Sequence, residues 1–155
     1  MVVLVPLVVL ISTGSGFGWG LGEGWAVLPV LLGLILIAAG FGLWLWTVRL
    51  FARVGRGTLA PWDPPKSLVV QGPYRHVRNP MIAAVLAVLA GEAALFGAPP
   101  LLIWFGCFFT LNYAVFQLYE EPGLERRFGE DYRAYKRNVP RWLPRRTPWN
   151  PPQSR

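Results

Sequence analysis

The chain has 155 residues, of which 54% are hydrophobic, and it carries a formal net charge of +7. This length suits a single domain. A hydrophobic composition with this much charge is typical of a small membrane protein whose charged residues lie outside the bilayer. The positive charge does not indicate nucleic-acid binding, because basic loops beside apolar spans already serve membrane topology and anionic headgroups. The single cysteine, Cys107, excludes an intramolecular disulfide and a cysteine-based metal site.

Four stretches are candidates for membrane-spanning helices, since a helix needs roughly 20 apolar residues to cross about 30 Å of hydrocarbon. These candidate spans are residues 1–19, 26–48, 80–98 and 99–120. We therefore predict an all-α integral membrane bundle of about four transmembrane helices. The first span is the weakest, because Gly and Ser interrupt its apolar run after Ile11. A three-span protein and a signal peptide are the alternatives, although a signal peptide requires basic residues before the apolar run.

The basic residues indicate how the spans are oriented. Six of the fifteen Lys and Arg lie between Arg49 and Arg78, and the other nine lie from Arg126 onward. By the positive-inside rule, a loop over residues 49–79 and a C-terminal segment over residues 122–155 face the cytoplasm. We thus expect a multi-pass protein of a bacterial or archaeal inner membrane, with both termini cytoplasmic.

The cytoplasmic loop ends in a dense group of polar and aromatic residues directly before the third span. This group holds Tyr74, Arg75, His76, Arg78 and Asn79, between Gly72 and Pro80. The free N–H groups at a helix start can receive an anionic or polar ligand group. The alternative is structural: the arginines bind headgroup phosphates and the asparagine caps the helix.

A second polar group follows the fourth span. Glu120 and Glu121 are adjacent carboxylates near the hydrocarbon boundary, where charges are costly unless they are paired or face a polar cavity. An arginine of the loop can neutralise one of them, or one can bind a cationic ligand. Adjacent helical residues point about 100° apart, so we expect only one of the two to face a ligand. A further carboxylate, Glu92, lies inside the third span, where closeness to the outer interface is a simpler explanation than function.

The residues after Glu121 have the pattern of an amphipathic helix. Apolar residues recur at steps of four, four, three and four, at Leu124, Phe128, Tyr132, Tyr135 and Val139. This spacing indicates one apolar helical face, and basic residues occupy the remainder. A basic amphipathic helix beside a membrane usually lies in the interface plane. The Pro- and Arg-rich residues that follow look like a frayed tail.

The two polar groups resemble the isoprenylcysteine carboxyl methyltransferase family and the related phospholipid methyltransferases. The resemblance is carried by KSLVVQGPYRHVRNPM (Lys66–Met81) and EEPGLERRFGEDYRAYKRNVPRWLP (Glu120–Pro144), which flank an apolar helical hairpin. The residues that match the family pattern of the second segment in register are Glu120, Glu121, Leu124, Phe128, Gly129, Tyr132, Tyr135, Val139 and Pro140. The first two spans match the family only in being apolar, and they carry none of its motif residues.

The resemblance implies a membrane-embedded enzyme that takes a methyl group from S-adenosylmethionine. The cofactor would lie in a cytoplasmic pocket made by the two segments, and a lipophilic acceptor (a carboxylate, an amine or a thiol) would enter from the lipid. Carried over by position, the cofactor-binding residues are Lys66, Ser67, Leu68, Val69, Tyr74, Asn79, Pro80, Met81, Ile82 and Glu120. The candidate catalytic residues are His76, Arg78 and Glu120, with the histidine as a possible base for an amine. We expect no metal.

The chain departs from the family pattern at three positions. Lys66 stands where the family often has histidine, and Ile82 stands where it has tyrosine. Phe116 replaces an arginine that the eukaryotic enzymes direct at the substrate carboxylate, which argues against a prenylcysteine acceptor in particular. The main alternative is a family member that has lost catalysis and binds a lipid or a partner. A small transporter is a weaker alternative, because the spans contain few polar residues.

Overall fold

A computed structural model describes residues 4–14, 18–20, 27–54 and 67–151. Within these ranges the chain is helical and contains no strand, which confirms the predicted all-α class. The helices are α1 (Leu4–Thr13), α2 (Val27–Val54), α3 (Pro80–Phe96), α4 (Pro99–Val115) and α5 (Glu121–Asn138). A short 3₁₀ helix (Gly72–Arg75) precedes α3, and a π-helical turn (Phe116–Glu120) joins α4 to α5.

Two of the described helical runs are long and apolar enough to cross a membrane. They are α2, with 28 residues, and the run from Pro99 to Asn138, with 40. Large apolar side chains on α2 are exposed, including Ile35 at 64%, and lipid is the solvent that suits such a surface. Helix α3 is apolar, but its 17 residues are fewer than the roughly 20 that a span needs. The ten described residues of α1 extend only about 15 Å. The chain is therefore a membrane protein, and the count of four spans stays a prediction.

The chain divides into two compact units. One comprises Met1–Leu43 and Ile82–Tyr113, and the other comprises Trp44–Met81 and Ala114–Arg155. The predicted site residues lie in the second unit, apart from Ile82 at the start of the first unit's part of α3. Lys66 lies outside the described residues.

In the first unit, α2 and α3 make a close contact through glycine. A Cβ atom added to Gly91 would lie 2.7 Å from the carbonyl oxygen of Gly33, and one added to Gly33 would lie 2.7 Å from the carbonyl oxygen of Gly91. A second close approach follows seven residues away, between Gly40 and Ala84. Small residues at such positions allow membrane helices to pack backbone against backbone. Next to Gly91, the Glu92 side chain is buried, with 7% of the residue exposed.

The second unit is built around the apolar face of α5. Tyr132, Tyr135 and Val139 are almost fully buried and form one cluster. The partly buried side chains that pack against this cluster are Leu68, Val70, Leu124, Phe128 and Trp149. These residues pack together as the pattern predicted, but the single amphipathic helix is not confirmed, because Gly129 interrupts α5 and Val139 follows it in an extended conformation. Protein side chains, and not lipid, cover the most buried residues of this cluster, which differs from the expected packing against the membrane interface.

Candidate functional site

An ion pair joins the loop before α3 to the start of α5. The Nη1 atom of Arg78 lies 2.8 Å from Oε1 of Glu121, and both side chains are buried, with 9% and 3% of their surface exposed. The backbone N–H of Arg78 also donates to the carbonyl oxygen of Pro140, at 2.9 Å. The two polar groups recognised in the sequence thus meet in one place.

Glu121 is surrounded by three basic side chains. Besides Arg78, the Nε atom of Arg141 lies 2.8 Å from Oε1, and the Nζ atom of Lys136 lies 3.4 Å from Oε2. Arg141 also donates from Nη1 to Oε1 of Gln117, at 3.1 Å. A buried carboxylate is stable only with such compensation. The Nζ atom of Lys136 also lies 3.7 Å from Oε2 of Glu125, so the cations around Glu121 are shared with a second carboxylate of α5.

Asn79 directly follows Arg78 in the chain. It is buried, with 3% of its surface exposed. Neither its side-chain nitrogen nor its side-chain oxygen has a hydrogen-bond partner among the described residues. The Nε atom of Arg78 is likewise buried and has no partner there. Asn79 therefore does not cap α3 through a side-chain hydrogen bond, which was the structural alternative. Buried polar groups are nearly always paired, so these three atoms, which belong to consecutive residues, indicate a place for a polar ligand.

Tyr74 lies in the 3₁₀ helix, which begins at Gly72 with a φ of 53°. A side-chain Cβ at Gly72 would lie 3.3 Å from Leu50 and from Trp46, so this turn packs tightly against α2 within the second unit. The hydroxyl of Tyr135 donates to the carbonyl oxygen of Tyr74, at 2.7 Å. Burial, and to a lesser degree the charge of Glu120, raises the pKa of the Tyr74 phenol above its ordinary value. Tyr74 therefore stays a neutral hydrogen-bond donor at physiological pH.

His76 is held by the C-terminal segment. Its Nδ1 atom lies 2.8 Å from the carbonyl oxygen of Arg145, and its own carbonyl oxygen accepts a hydrogen bond from the Arg145 N–H, at 3.0 Å. A carbonyl oxygen can only accept, so Nδ1 carries a proton. In the neutral ring, Nε2 is then the atom with a free lone pair.

The same segment also grips the neighbouring arginine. Arg75 donates from Nε to the carbonyl oxygen of Trp149, at 3.0 Å, and from Nη2 to Oδ1 of Asn150. Its carbonyl oxygen accepts from the Trp149 N–H. The tail residues from Arg145 to Asn150 are thus bound to the 3₁₀ helix, so this described part is not frayed, which differs from the expectation based on composition. Sequence patterns missed this contact because backbone carbonyls supply most of it.

The remaining described site residues differ in burial and in local structure. Glu120 is exposed and ends the π-helical turn, a helical irregularity that is frequent at functional sites. Ser67 is exposed, Leu68 packs on the α5 cluster and Val69 is buried. The first residues of α3, namely Pro80, Met81 and Ile82, are buried or half-buried. Arg141, which sequence reasoning did not single out, is a partner of Glu121.

Comparison with known proteins identifies the family. A family model for phospholipid methyltransferases matches residues 28–131. This range includes Tyr74 to Ile82 and both glutamates. No curated protein and no solved structure gives a significant match.

Proposed function

The chain belongs to the phospholipid methyltransferase family, and from this premise we propose that it moves a methyl group from S-adenosylmethionine to a small lipophilic acceptor. The acceptor is a carboxylate, an amine or a thiol, and transfer takes place at the cytoplasmic face of the membrane. The single observation that carries this proposal is the buried amide of Asn79, whose two polar atoms have no partner among the described residues.

The residues present fit the donor's chemistry. S-adenosylmethionine has a carboxylate, an ammonium and a sulfonium, so its site needs hydrogen-bond donors and a negative charge together. Asn79 offers both a donor and an acceptor, and Nε of Arg78 is a donor suited to a carboxylate. Glu120, which acts electrostatically on Tyr74, supplies a carboxylate for a cationic group. When bound, the donor supplies an electrophilic methyl group, whose bond to sulfur breaks as the bond to the acceptor forms.

The chain's own residues orient the reactants and handle the proton. The Arg78–Glu121 ion pair fixes the loop against α5, and such positioning contributes much of the rate of a displacement reaction. An acceptor that arrives as a carboxylate or a thiolate needs no base. An amine acceptor loses a proton, and Nε2 of His76 takes it, because Nδ1 is held in its protonated form by Arg145.

The proposal is tested by methyl transfer from S-adenosylmethionine labelled in its methyl group. Purified protein in detergent is incubated with the label and a panel of lipids that carry carboxylate, amine or thiol groups, and labelled lipid is extracted and counted. We expect labelled product with the native chain and a loss of at least about tenfold with Glu120→Ala, since charge-assisted contacts are among the stronger ones. Folded protein that binds the donor but yields no product across the panel would favour the non-catalytic alternative.

A further inference from the structure

An open cleft of about 330 Å³ lies along α5 in the second unit. Its wall is formed by the last turn before α5 and by one side of that helix. The lining residues are Gln117, Glu121, Pro122, Glu125, Arg126, Arg133 and Lys136. Glu121, one of these residues, also pairs with Arg78 beside the proposed donor site.

The acidic side chains of the cleft already have cationic partners. Glu121 pairs with Arg78 and Arg141 as well as with Lys136. Glu125 accepts from Nε of Arg133 at 2.8 Å, and these contacts lower the pKa of its carboxyl, so it stays ionised. Both carboxylates that line the cleft are therefore paired with basic side chains of the protein.

Among the basic residues that line the cleft, Arg126 is the one without a carboxylate partner in the described chain. Its Nε atom donates to the carbonyl oxygen of Pro122 at 3.3 Å, and it forms no ion pair with any carboxylate of the described chain. The residue is exposed and lines the cleft. Arginine binds phosphate through its planar, forked N–H groups. An anion of phosphate type thus complements the cleft.

Exposed apolar side chains come just before the cleft residues of α5 in the chain. Val115, Leu118 and Tyr119, which directly precede the lining residues of α5, are 45%, 65% and 72% exposed. A ligand seated here meets apolar surface at one end and an arginine at the other. This combination matches a phospholipid, with acyl chains along the end of α4 and its phosphate at the start of α5.

We propose that this cleft binds one phospholipid of net negative charge, with Arg126 as the principal ligand of its phosphate. The site shares Glu121 with the ion pair beside the proposed donor site, but it does not depend on methyl transfer. A lipid with a neutral, zwitterionic headgroup binds less well, since its own ammonium offsets the phosphate charge that Arg126 attracts.

The test is a titration of the full-length protein in neutral detergent with dihexanoyl-phosphatidylglycerol and with dihexanoyl-phosphatidylcholine. We expect the anionic lipid to bind at least about fivefold more tightly, the ratio expected for roughly 1 kcal/mol per basic residue near a membrane surface. Arg126→Gln should abolish this preference. Arg146→Gln removes an equal charge from another exposed position and should retain it.

Three results would overturn the proposal. The first is an unchanged preference in Arg126→Gln, and the second is an equal loss in both variants, which indicates general surface electrostatics. The third is binding of glycerol phosphate as tight as that of the lipid, which would make the ligand a free phosphate ester. Unchanged melting temperature and unchanged donor affinity in Arg126→Gln show that the variant is folded and keep this test separate from that of the donor site.

Discussion

Nη1 of Arg78 lies 2.8 Å from Oε1 of Glu121, and this contact joins two segments that are more than forty positions apart in the chain. One segment precedes α3 and the other begins α5. Because Arg141 and Lys136 bind the same carboxylate, the ion pair belongs to a buried network and is not an isolated surface contact. We infer that this network holds the residues around Asn79 in place.

Replacing Arg78 by alanine should destabilise the protein strongly. Removal of one partner leaves a buried charge with less compensation, which costs about 3 kcal/mol. The measurement is the free energy of unfolding in detergent, with Arg133→Ala as the control. Arg133 pairs with Glu125 and Glu130 at an exposed position, where the loss is at most about 1 kcal/mol. Equal losses in the two variants would contradict a buried network.

The contact between α2 and α3 predicts a large effect of a single methyl group. In Gly91→Ala the new Cβ meets the carbonyl oxygen of Gly33 and the Cγ1 atom of Ile37, both at 2.7 Å. The helices have to separate, and we expect a loss of about 2 kcal/mol. Gly106→Ala in α4 is the matched control, because no atom lies within 4 Å of its added Cβ. Similar melting temperatures for the two variants would show that α2 and α3 do not pack this closely.

Gly129 predicts a purely conformational cost. It interrupts α5 with a φ of 52° and a ψ of −125°, a backbone conformation that L side chains rarely adopt. Gly129→Ala creates no clash, since nothing lies within 4 Å of the added Cβ, yet it should cost about 1–3 kcal/mol. Gly123→Ala lies in the same helix without positive φ and should be neutral or stabilising. A neutral Gly129→Ala would mean that α5 is not bent there.

Buried tyrosines predict a loss of stability in alkali. Burial, assisted by Glu121 and opposed by Arg78, raises the pKa of Tyr132 from 10.0 to about 12, and burial raises the pKa of Tyr74 and of Tyr135 as well. Between pH 10 and 12 the unfolded chain binds fewer protons than the native protein, so stability falls as pH rises. The slope is up to about 1.4 kcal/mol per pH unit for each tyrosine. In Tyr132→Phe, the free energy of unfolding measured between pH 10 and 12 should fall less steeply with pH than in the native protein. An unchanged slope would show that Tyr132 ionises normally in the folded protein.

The sequence allowed some of this arrangement to be predicted, for physical reasons. The spacing of Leu124, Phe128, Tyr132, Tyr135 and Val139 predicted that these residues lie together, and they do pack in one cluster, although Gly129 interrupts the helix and Val139 lies just beyond its end. Apolar length likewise identified α2 and the helical run that begins at Pro99. Charge alone indicated that an arginine of the loop can neutralise one of the two glutamates.

Other features depend on contacts that periodicity does not encode. The pairing of Glu121 with Arg141, and the binding of Arg145 to His76, join distant segments through side-chain geometry and backbone carbonyls. The covering of α5 by Leu68 and Trp149 is also a tertiary effect. Sequence spacing predicted the helical face, but it could not distinguish burial against protein from burial against lipid.

The central claim is that the loop before α3 and the start of α5 form a methyl-donor site, and the affinity for S-adenosylmethionine tests it most directly. Isothermal titration of the protein in detergent compares the native chain with Asn79→Ala and with Asn138→Ala. Asn138 is exposed, and its side chain donates to the Ala134 carbonyl oxygen of its own helix. We predict binding by the native chain and by Asn138→Ala, and affinity at least about tenfold weaker in Asn79→Ala. Folded native protein that does not bind the donor, or equal affinity in all three proteins, would contradict the claim.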